Sequence, residues 1–296
     1  MAHGILECIG STPLIRLQRV NSSVFAKAEF LNPGGSIKDR VAKYLIEEAE
    51  REGILKKDSI IMEPTSGNTG IGMAFVGVQK GYRVIIVMPE NMSEERKKII
   101  KAFGGELILT PAEKSIQGSV DKAVEMAKND PRIYIPQQFT NPRNPEIHYK
   151  TTAHEIWSQM TEKIHAFVAG VGSGGTLGGV GRFLKERDLH IKVIAVEPRN
   201  SSALLGQEPG LHQIQGIGDG FIPPVLDVSL IDDVVTVSDE DAIQTTRFLA
   251  RQEGLLVGTS SGANVWAAEL VAGRETGCVV TVLPDRAERY FSTSLI

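Results

Sequence analysis

Short, nearly unbroken apolar runs recur along the chain, separated by longer segments with helical spacing. Residues 60–62, 84–88, 107–109, 133–135, 166–169, 193–196 and 279–283 are such runs. They do not alternate apolar with polar residues, as a strand with one wet face would, so each is expected to be a strand buried on both faces. The segments between them repeat apolar residues every three to four positions. Val41, Leu45 and Ala49 form one stripe, which Gly53 stops. Ser93 stands where it can cap the next helix, with Glu94 and Glu95 in the positive first turn and Gly104 past the end. Ser238 precedes another acid-rich helix start, Asp239 to Asp241. This alternation predicts a doubly wound α/β chain, its parallel sheets covered by helices on both faces. No repeat or low-complexity tract interrupts it, and periodicity leaves the strand order open.

Composition narrows the class. A chain of 296 residues makes two modest domains or one large α/β unit. Its 42% apolar and 23% charged residues are ordinary for a globular protein. A net charge of −4 gives no reason to expect nucleic acid or an anionic membrane as partner. No apolar run approaches the roughly 20 residues that span a bilayer. Met1 to Gly10 has no basic start and carries Glu7 within its only short apolar stretch, so no signal peptide is expected. Cys8 and Cys278 lack metal-ligand spacing and the six histidines are scattered, so no metal centre is expected and a reducing cytoplasm fits best.

Three loops carry the candidate chemistry. Asn32-Pro33-Gly34-Gly35-Ser36-Ile37-Lys38-Asp39-Arg40 is a turn-forming stretch running into an amphipathic helix. Thr65-Ser66-Gly67-Asn68-Thr69-Gly70 follows the strand ending at Met62 and opens a helix near Ile71. Ligands of open α/β sheets bind at such strand ends, and free amides with a helix dipole suit a carboxylate. Gly172-Ser173-Gly174-Gly175-Thr176 joins another strand to a helix. Its glycines let backbone close on a phosphate and Thr176 adds a hydroxyl; with no Arg or Lys in the loop, dipoles and neutral donors would hold the anion. An amine able to form an imine, a carboxylate clamp and a phosphate anchor are what a pyridoxal phosphate enzyme requires. Each piece alone has a plainer reading: a solvated surface lysine, a helix cap, glycines that satisfy sterics. The third loop also fits dinucleotide binding, as Gly170-x-Gly172-x-x-Gly175 with Glu197 ending the next strand. That reading leaves the Lys38 and Asn68 loops unexplained.

The motifs, in this order, resemble the cysteine synthase (O-acetylserine sulfhydrylase) family of the tryptophan-synthase-β-like, fold-type II pyridoxal phosphate enzymes. The resemblance rests on Asn32 to Arg40, Glu63 to Gly70, Gln137-Gln138-Phe139, Gly172 to Thr176, Gln215 to Gly218 and Ser260-Ser261-Gly262, and runs from Ile9 to Thr293. It implies two α/β domains with pyridoxal 5′-phosphate in the cleft between them. Residues 1–12 and 35–141 would form the N-terminal domain, carrying Lys38 and the Asn68 loop. Residues 13–34 and 142–296 would form the C-terminal domain, carrying the phosphate loop. It further implies Lys38 as the Schiff-base lysine and base for the α-proton. Thr65, Ser66, Gly67, Asn68 and Thr69 would bind the substrate carboxylate, with Gln138 as a further contact and Asn68 also bonding the cofactor's 3′-oxygen. Gly172, Ser173, Gly174, Gly175 and Thr176 would hold the phosphate, and Gly216 and Gly218 would lie beside the substrate side chain. Ser260 would face the pyridine nitrogen, where a neutral hydroxyl leaves it largely unprotonated and favours β-elimination over transamination. The implied reaction turns O-acetylserine and sulfide into cysteine through an aminoacrylate. A cytoplasmic homodimer is implied, with serine acetyltransferase as a candidate partner protein.

One departure bears on substrate. Asp219, in Gln215-Gly216-Ile217-Gly218-Asp219-Gly220, stands where many members have alanine or another small neutral residue. A carboxylate there would repel a phosphorylated leaving group, act as a base toward water or a thiol, or attract an amine on a larger nucleophile. A solvent-facing acid with no role is the plainer reading. Thr151 to Glu155 and Pro284-Asp285-Arg286 also depart from the commonest forms, with no consequence readable from sequence. Cystathionine or lanthionine synthesis and sulfide release from cysteine thus stay open, beside a nicotinamide-dependent oxidoreductase and a silent binding protein on the same scaffold.

Overall fold

The computed structural model describes residues 3–274, 277–293 and 295. In chain order the first elements are β1 (Leu14–Arg16), β2 (Val24–Lys27), α1 (Lys38–Arg51), β3 (Ile60–Pro64), α2 (Asn68–Gln79), β4 (Arg83–Pro89), α3 (Glu94–Ala102), β5 (Glu106–Thr110), α4 (Ser115–Asn129) and β6 (Ile133–Tyr134). There follow α5 (Arg143–Ile147), α6 (Ala153–Gln159), β7 (Ile164–Gly170), α7 (Gly175–Arg187), β8 (Lys192–Pro198), β9 (Asp233–Val237), α8 (Asp239–Phe248), α9 (Thr259–Arg274) and β10 (Cys278–Val282). The chain divides into two compact units, Met1–Ile9 with Asn32–Arg143, and Gly10–Leu31 with Asn144–Ile296.

The first unit is built on a four-stranded parallel sheet in the order β5-β4-β3-β6. Successive strand residues point to opposite faces, and Val84 to Pro89 of β4 are all buried, so both faces are covered. The expectation of two-sided burial fails for residues 107–109 and 133–135. Residues 107–109 belong to β5 and 133–134 to β6, the sheet's edges, where one side lacks a neighbouring strand; Leu109 is 48% exposed and β6 is half-buried. An apolar run marks a strand without saying where in the sheet it lies. Helices α1 and α2 pack backbone to backbone: a Cβ on Gly72 would lie 2.9 Å from the Lys38 carbonyl oxygen.

The second unit holds a six-stranded sheet in the order β1-β2-β10-β7-β8-β9, parallel except for the β1–β2 pair. Its central strand β10 is buried throughout. The apolar-run pattern misses β1, β2 and β9. β1 has three residues, and β9 is a half-wet edge strand with Asp233 exposed and Val235 and Val237 buried. Helix ends follow the sequence reading in part. Ser238 accepts a hydrogen bond from Asp241 N at 3.1 Å, and Gly53 and Gly104 follow α1 and α3 with φ of 71° and 91°. Ser93 precedes α3, but its side chain makes no capping bond to the helix. No described helix is long and apolar enough to cross a membrane.

Candidate active site

The expected site residues fall into two clusters, one in each unit. In the first, Lys38 opens α1, half-buried, its N–H donating to Ser36 Oγ at 3.2 Å. The preceding turn is fixed by Asp39, which accepts from Gly34 N at 2.6 Å, and by Gly35 at φ 84°. The other lysines near turns are committed elsewhere. Lys27 is fully buried against Glu155 Oε2 at 2.7 Å and Gln159 Oε1 at 2.9 Å, and Lys80 pairs with Glu50 at 2.8 Å.

β3 delivers the second loop to the start of α2. The helix begins at Asn68, earlier than the sequence suggested, with Gly67 at its cap position and no capping side chain. Thr65 and Ser66 therefore do not serve as the helix cap, and Gly70 N donates to Gly67 O at 3.2 Å. Thr65 is buried, its Oγ1 accepting from Gly67 N at 3.1 Å; Ser66, Gly67 and Asn68 are half-buried. Thr69 donates to Gln138 Oε1 at 2.7 Å in a buried pair, joining residues 69 positions apart. The turn carrying Gln138 begins at Gln137, whose φ is 57°. Glu63 on β3 is 2% exposed, and its Oε2 has no hydrogen-bond partner.

The second cluster gathers around β7 and α7. Gly174 holds φ 79°, and the first amide closed by the helix is Gly178 N, on Gly174 O at 3.0 Å. The amides before it, including those of Gly175 and Thr176, have no partner within the helix. Asn144 Nδ2 donates to Ser173 Oγ at 3.0 Å. Side chains cannot replace the glycines: a Cβ on Gly172 would meet Gly216 O at 2.3 Å, and one on Gly175 would meet Asn144 Oδ1 at 2.1 Å. The Gln215–Gly220 loop lies directly on this turn, with Gly218 N donating to Val171 O at 3.0 Å. Gly216, Gly218 and Gly220 all have positive φ, and His212 and Ser201 contact Gly218 O at 3.0 and 3.2 Å. Asp219 is exposed on this loop. Ser260, buried in the first turn of α9, has its Oγ 4.0 Å from where a Cβ of Gly216 would stand. Thr259 Oγ1 accepts from Gln215 N at 3.3 Å, tying the two segments together.

This cradle of backbone donors at the start of a 13-residue helix, with Ser173 and Thr176 hydroxyls beside it, fits a phosphate without a cation. Glu197 does not serve a dinucleotide. It is buried, and its Oε2 accepts from Ser202 Oγ at 2.6 Å and Leu204 N at 3.1 Å, holding the turn after β8. Among the described residues no group of three or more His, Cys, Asp or Glu could hold a metal. Sequence reading missed the supporting residues Asn144 and His212. Asn144-Pro145 reads locally as a turn, and nothing near it in sequence points to Ser173.

Comparison with known proteins gives the family. Residues 5–285 match the family described as pyridoxal-phosphate dependent enzyme, and the chain belongs to it. Pyridoxal phosphate is thus its cofactor, and the fold is that of the family. A cysteine synthase of Staphylococcus aureus is 48% identical over 299 residues, covering 98% of this chain and 96% of its own. Among solved structures, an O-acetylserine dependent cystathionine beta-synthase from Helicobacter pylori superposes with a TM-score of 0.93 at 43% identity, over 100% of this chain and 99% of its own. A hydrogen sulfide-producing enzyme from Fusobacterium nucleatum gives 0.94 at 40% identity, over 98% and 100%.

Proposed function

We propose that the chain is a cysteine synthase that converts O-acetyl-L-serine and hydrogen sulfide into L-cysteine and acetate. The observation that carries this reading is the near full-length 48% identity to a cysteine synthase, joined to a filled set of matching positions in both clusters. Bound pyridoxal phosphate supplies an electron sink that lets the α-proton and the β-substituent leave. Lys38 would hold the cofactor through its amine, and the same amine would carry the substrate's α-proton. Thr65 to Thr69 and Gln138 clamp the substrate carboxylate, using the uncapped start of α2. Gly172 to Thr176 hold the phosphate, Asn68 the 3′-oxygen, and Ser260 faces the pyridine nitrogen. In this reading the enzyme works as a cytoplasmic homodimer, with serine acetyltransferase as its candidate protein partner. Exposed Leu205, Leu211, Phe221 and Ile222 in the second unit give such an assembly apolar surface to cover.

A second reading, cystathionine formation or sulfide release from cysteine, is favoured by the exposed carboxylate of Asp219 on the loop that lies against the phosphate cradle. A panel crossing O-acetylserine, O-phosphoserine, serine and cysteine with sulfide and homocysteine separates the two. O-acetylserine with sulfide should be the fastest pair; homocysteine outrunning sulfide, or cysteine outrunning O-acetylserine, would put the second reading first. Lys38→Ala should abolish turnover and remove the visible band of lysine-bound cofactor after dialysis. A variant keeping both would move the tether to another lysine.

A further inference from the structure

Two polar side chains behind the phosphate loop, both buried, have no task in the chemistry above. Asn144 lies in α5, and His148 opens a π-helical turn, His148–Thr152, that follows it. They stand four positions apart, so they share one face of the helical segment. Helix α7 presents a matching pair, Gly175 and Gly179, to that face. A Cβ on Gly175 would meet Asn144 Oδ1 at 2.1 Å, and one on Gly179 would meet Pro145 O at 2.2 Å and His148 Cβ at 2.8 Å. Bare backbone at both positions lets the two side chains reach the loop at the head of α7. Asn144 Nδ2 donates to Ser173 Oγ at 3.0 Å. His148 Nε2 lies 3.5 Å from Thr176 Oγ1, at the outer limit of a hydrogen bond, and its Nδ1 lies 2.9 Å from Thr152 Oγ1.

We propose that Asn144 and His148 are positioning residues that turn the Ser173 and Thr176 hydroxyls proton-outward, toward the cofactor's phosphate. This rests on the reading of Gly172 to Thr176 as the phosphate loop.

A hydroxyl has one proton to give and two lone pairs to receive with. Ser173 Oγ accepts from the Asn144 amide, so its proton remains for a second partner. Direction matters here because the loop carries no Lys or Arg. A phosphate is then held by dipoles and neutral donors, and a hydroxyl offering it a lone pair would repel it. His148 sits between two hydroxyls, and a neutral imidazole has one donor and one acceptor. With Thr152 donating to Nδ1, the Nε2–H donates to Thr176 and leaves the Thr176 proton for the anion. The opposite tautomer would take up the Thr176 proton and turn its lone pairs toward the phosphate. An anion in the cradle selects the first arrangement, because a ligand shifts an equilibrium toward the state it contacts better. The π turn that carries His148 is a rare form found mostly at functional sites.

The test reads three properties of each holoenzyme: cofactor retention on serial dilution, from the visible band; the phosphorus resonance of the bound phosphate; and the thermal midpoint. In the parent the resonance should hardly move from about pH 5 to about 8, across which a free phosphate monoester titrates. Ser173→Ala and Thr176→Ala should each weaken retention about tenfold, the loss of one hydrogen bond to a charged group. Asn144→Asp keeps the shape but can only accept, so it takes the Ser173 proton. Its retention should fall more than about tenfold, and its resonance should titrate toward that of free cofactor. Asn144→Ala should weaken retention in the parent but change it by less than about twofold in a Ser173→Ala background. His148→Leu should likewise act in the parent and not in a Thr176→Ala background. Parental retention in both Ser173→Ala and Thr176→Ala would sink the phosphate assignment and the proposal with it. If those two weaken retention, either of two results overturns the proposal alone. One is a fall in midpoint in the Asn144 and His148 variants with retention and resonance unchanged, the mark of packing only. The other is a full effect of Asn144→Ala persisting without the Ser173 hydroxyl. If Asn144→Asp does not fold, the pair Asn144→Ala and Ser173→Ala decides.

Discussion

Asp219 shows how much one side chain can decide. It lies exposed between two glycines of positive φ, on a loop that Gly218 N, His212 and Ser201 pin in place. If its carboxylate repels anionic side chains, Asp219→Ala should improve the handling of O-phosphoserine relative to O-acetylserine. The contact is exposed and screened, so the expected gain in kcat/KM is several-fold, not thousands-fold. If it serves as a base toward water or a thiol, the variant should lose sulfide release from cysteine by about 10²-fold or more while O-acetylserine turnover stays nearly intact. Equal rates with every donor would leave it without a role. At this scale sequence was most informative where a residue's task is set by its immediate neighbours: Lys38 at the mouth of a helix, Gly174 at its left-handed turn. It was silent on Asn144 and His212. Asn144 meets Ser173 across 29 positions. His212 contacts only six residues away, but it does so through a backbone carbonyl that no side-chain pattern announces.

Elements place these residues through close approach. Helix α2 meets the first turn of α1 at Gly72, where a Cβ would stand 2.9 Å from the Lys38 carbonyl oxygen. That neighbour is backbone and cannot swing away. Gly72→Ala should therefore push the start of α1 off α2, costing about 1–3 kcal/mol of stability and displacing the Lys38 amine. The visible band of bound cofactor and turnover should fall together. Gly77→Ala is the control, because its Cβ would meet Val84 Cγ2 at 2.6 Å and Ile61 Cδ1 at 3.2 Å, at the other end of α2. It should lower stability in denaturant titration yet keep the cofactor band. Equal loss of the band in both variants would mean that Gly72 matters only for folding. The apolar runs marked strands, because a strand inside a sheet leaves a strong local signature. They did not separate centre from edge: β5 and β6 carry the same kind of run as β4. Burial there depends on neighbours that the run itself does not contain.

At the scale of the whole chain, the order of strands was beyond local pattern. β2 pairs in parallel with β10, so a segment near the start of the chain joins a sheet completed by Cys278 to Val282. Only the family resemblance suggested such a crossing. The same sheet offers a way to watch the second unit open. Cys278 lies in β10, and its thiol is pushed up to about 11 by burial, with further upward help from Glu162, whereas Cys8 is exposed in the first unit. The thiolate is the reactive form, so near neutral pH an alkylating reagent should label Cys8 in the native protein and reach Cys278 only on unfolding. Lys27 sits on β2 beside this strand, fully buried and paired with Glu155 at 2.7 Å. Lys27→Met would leave an apolar chain facing that carboxylate. Breaking a fully buried pair costs about 3–5 kcal/mol; Glu155 keeps some contact with solvent, so about 2–3 kcal/mol is expected here. Where opening limits reaction, that loss raises the labelling of Cys278 by roughly 30- to 150-fold, with Cys8 unchanged as the internal reference. Equal rates at Cys278 in parent and variant would show that the Lys27 pair does not hold the second unit closed.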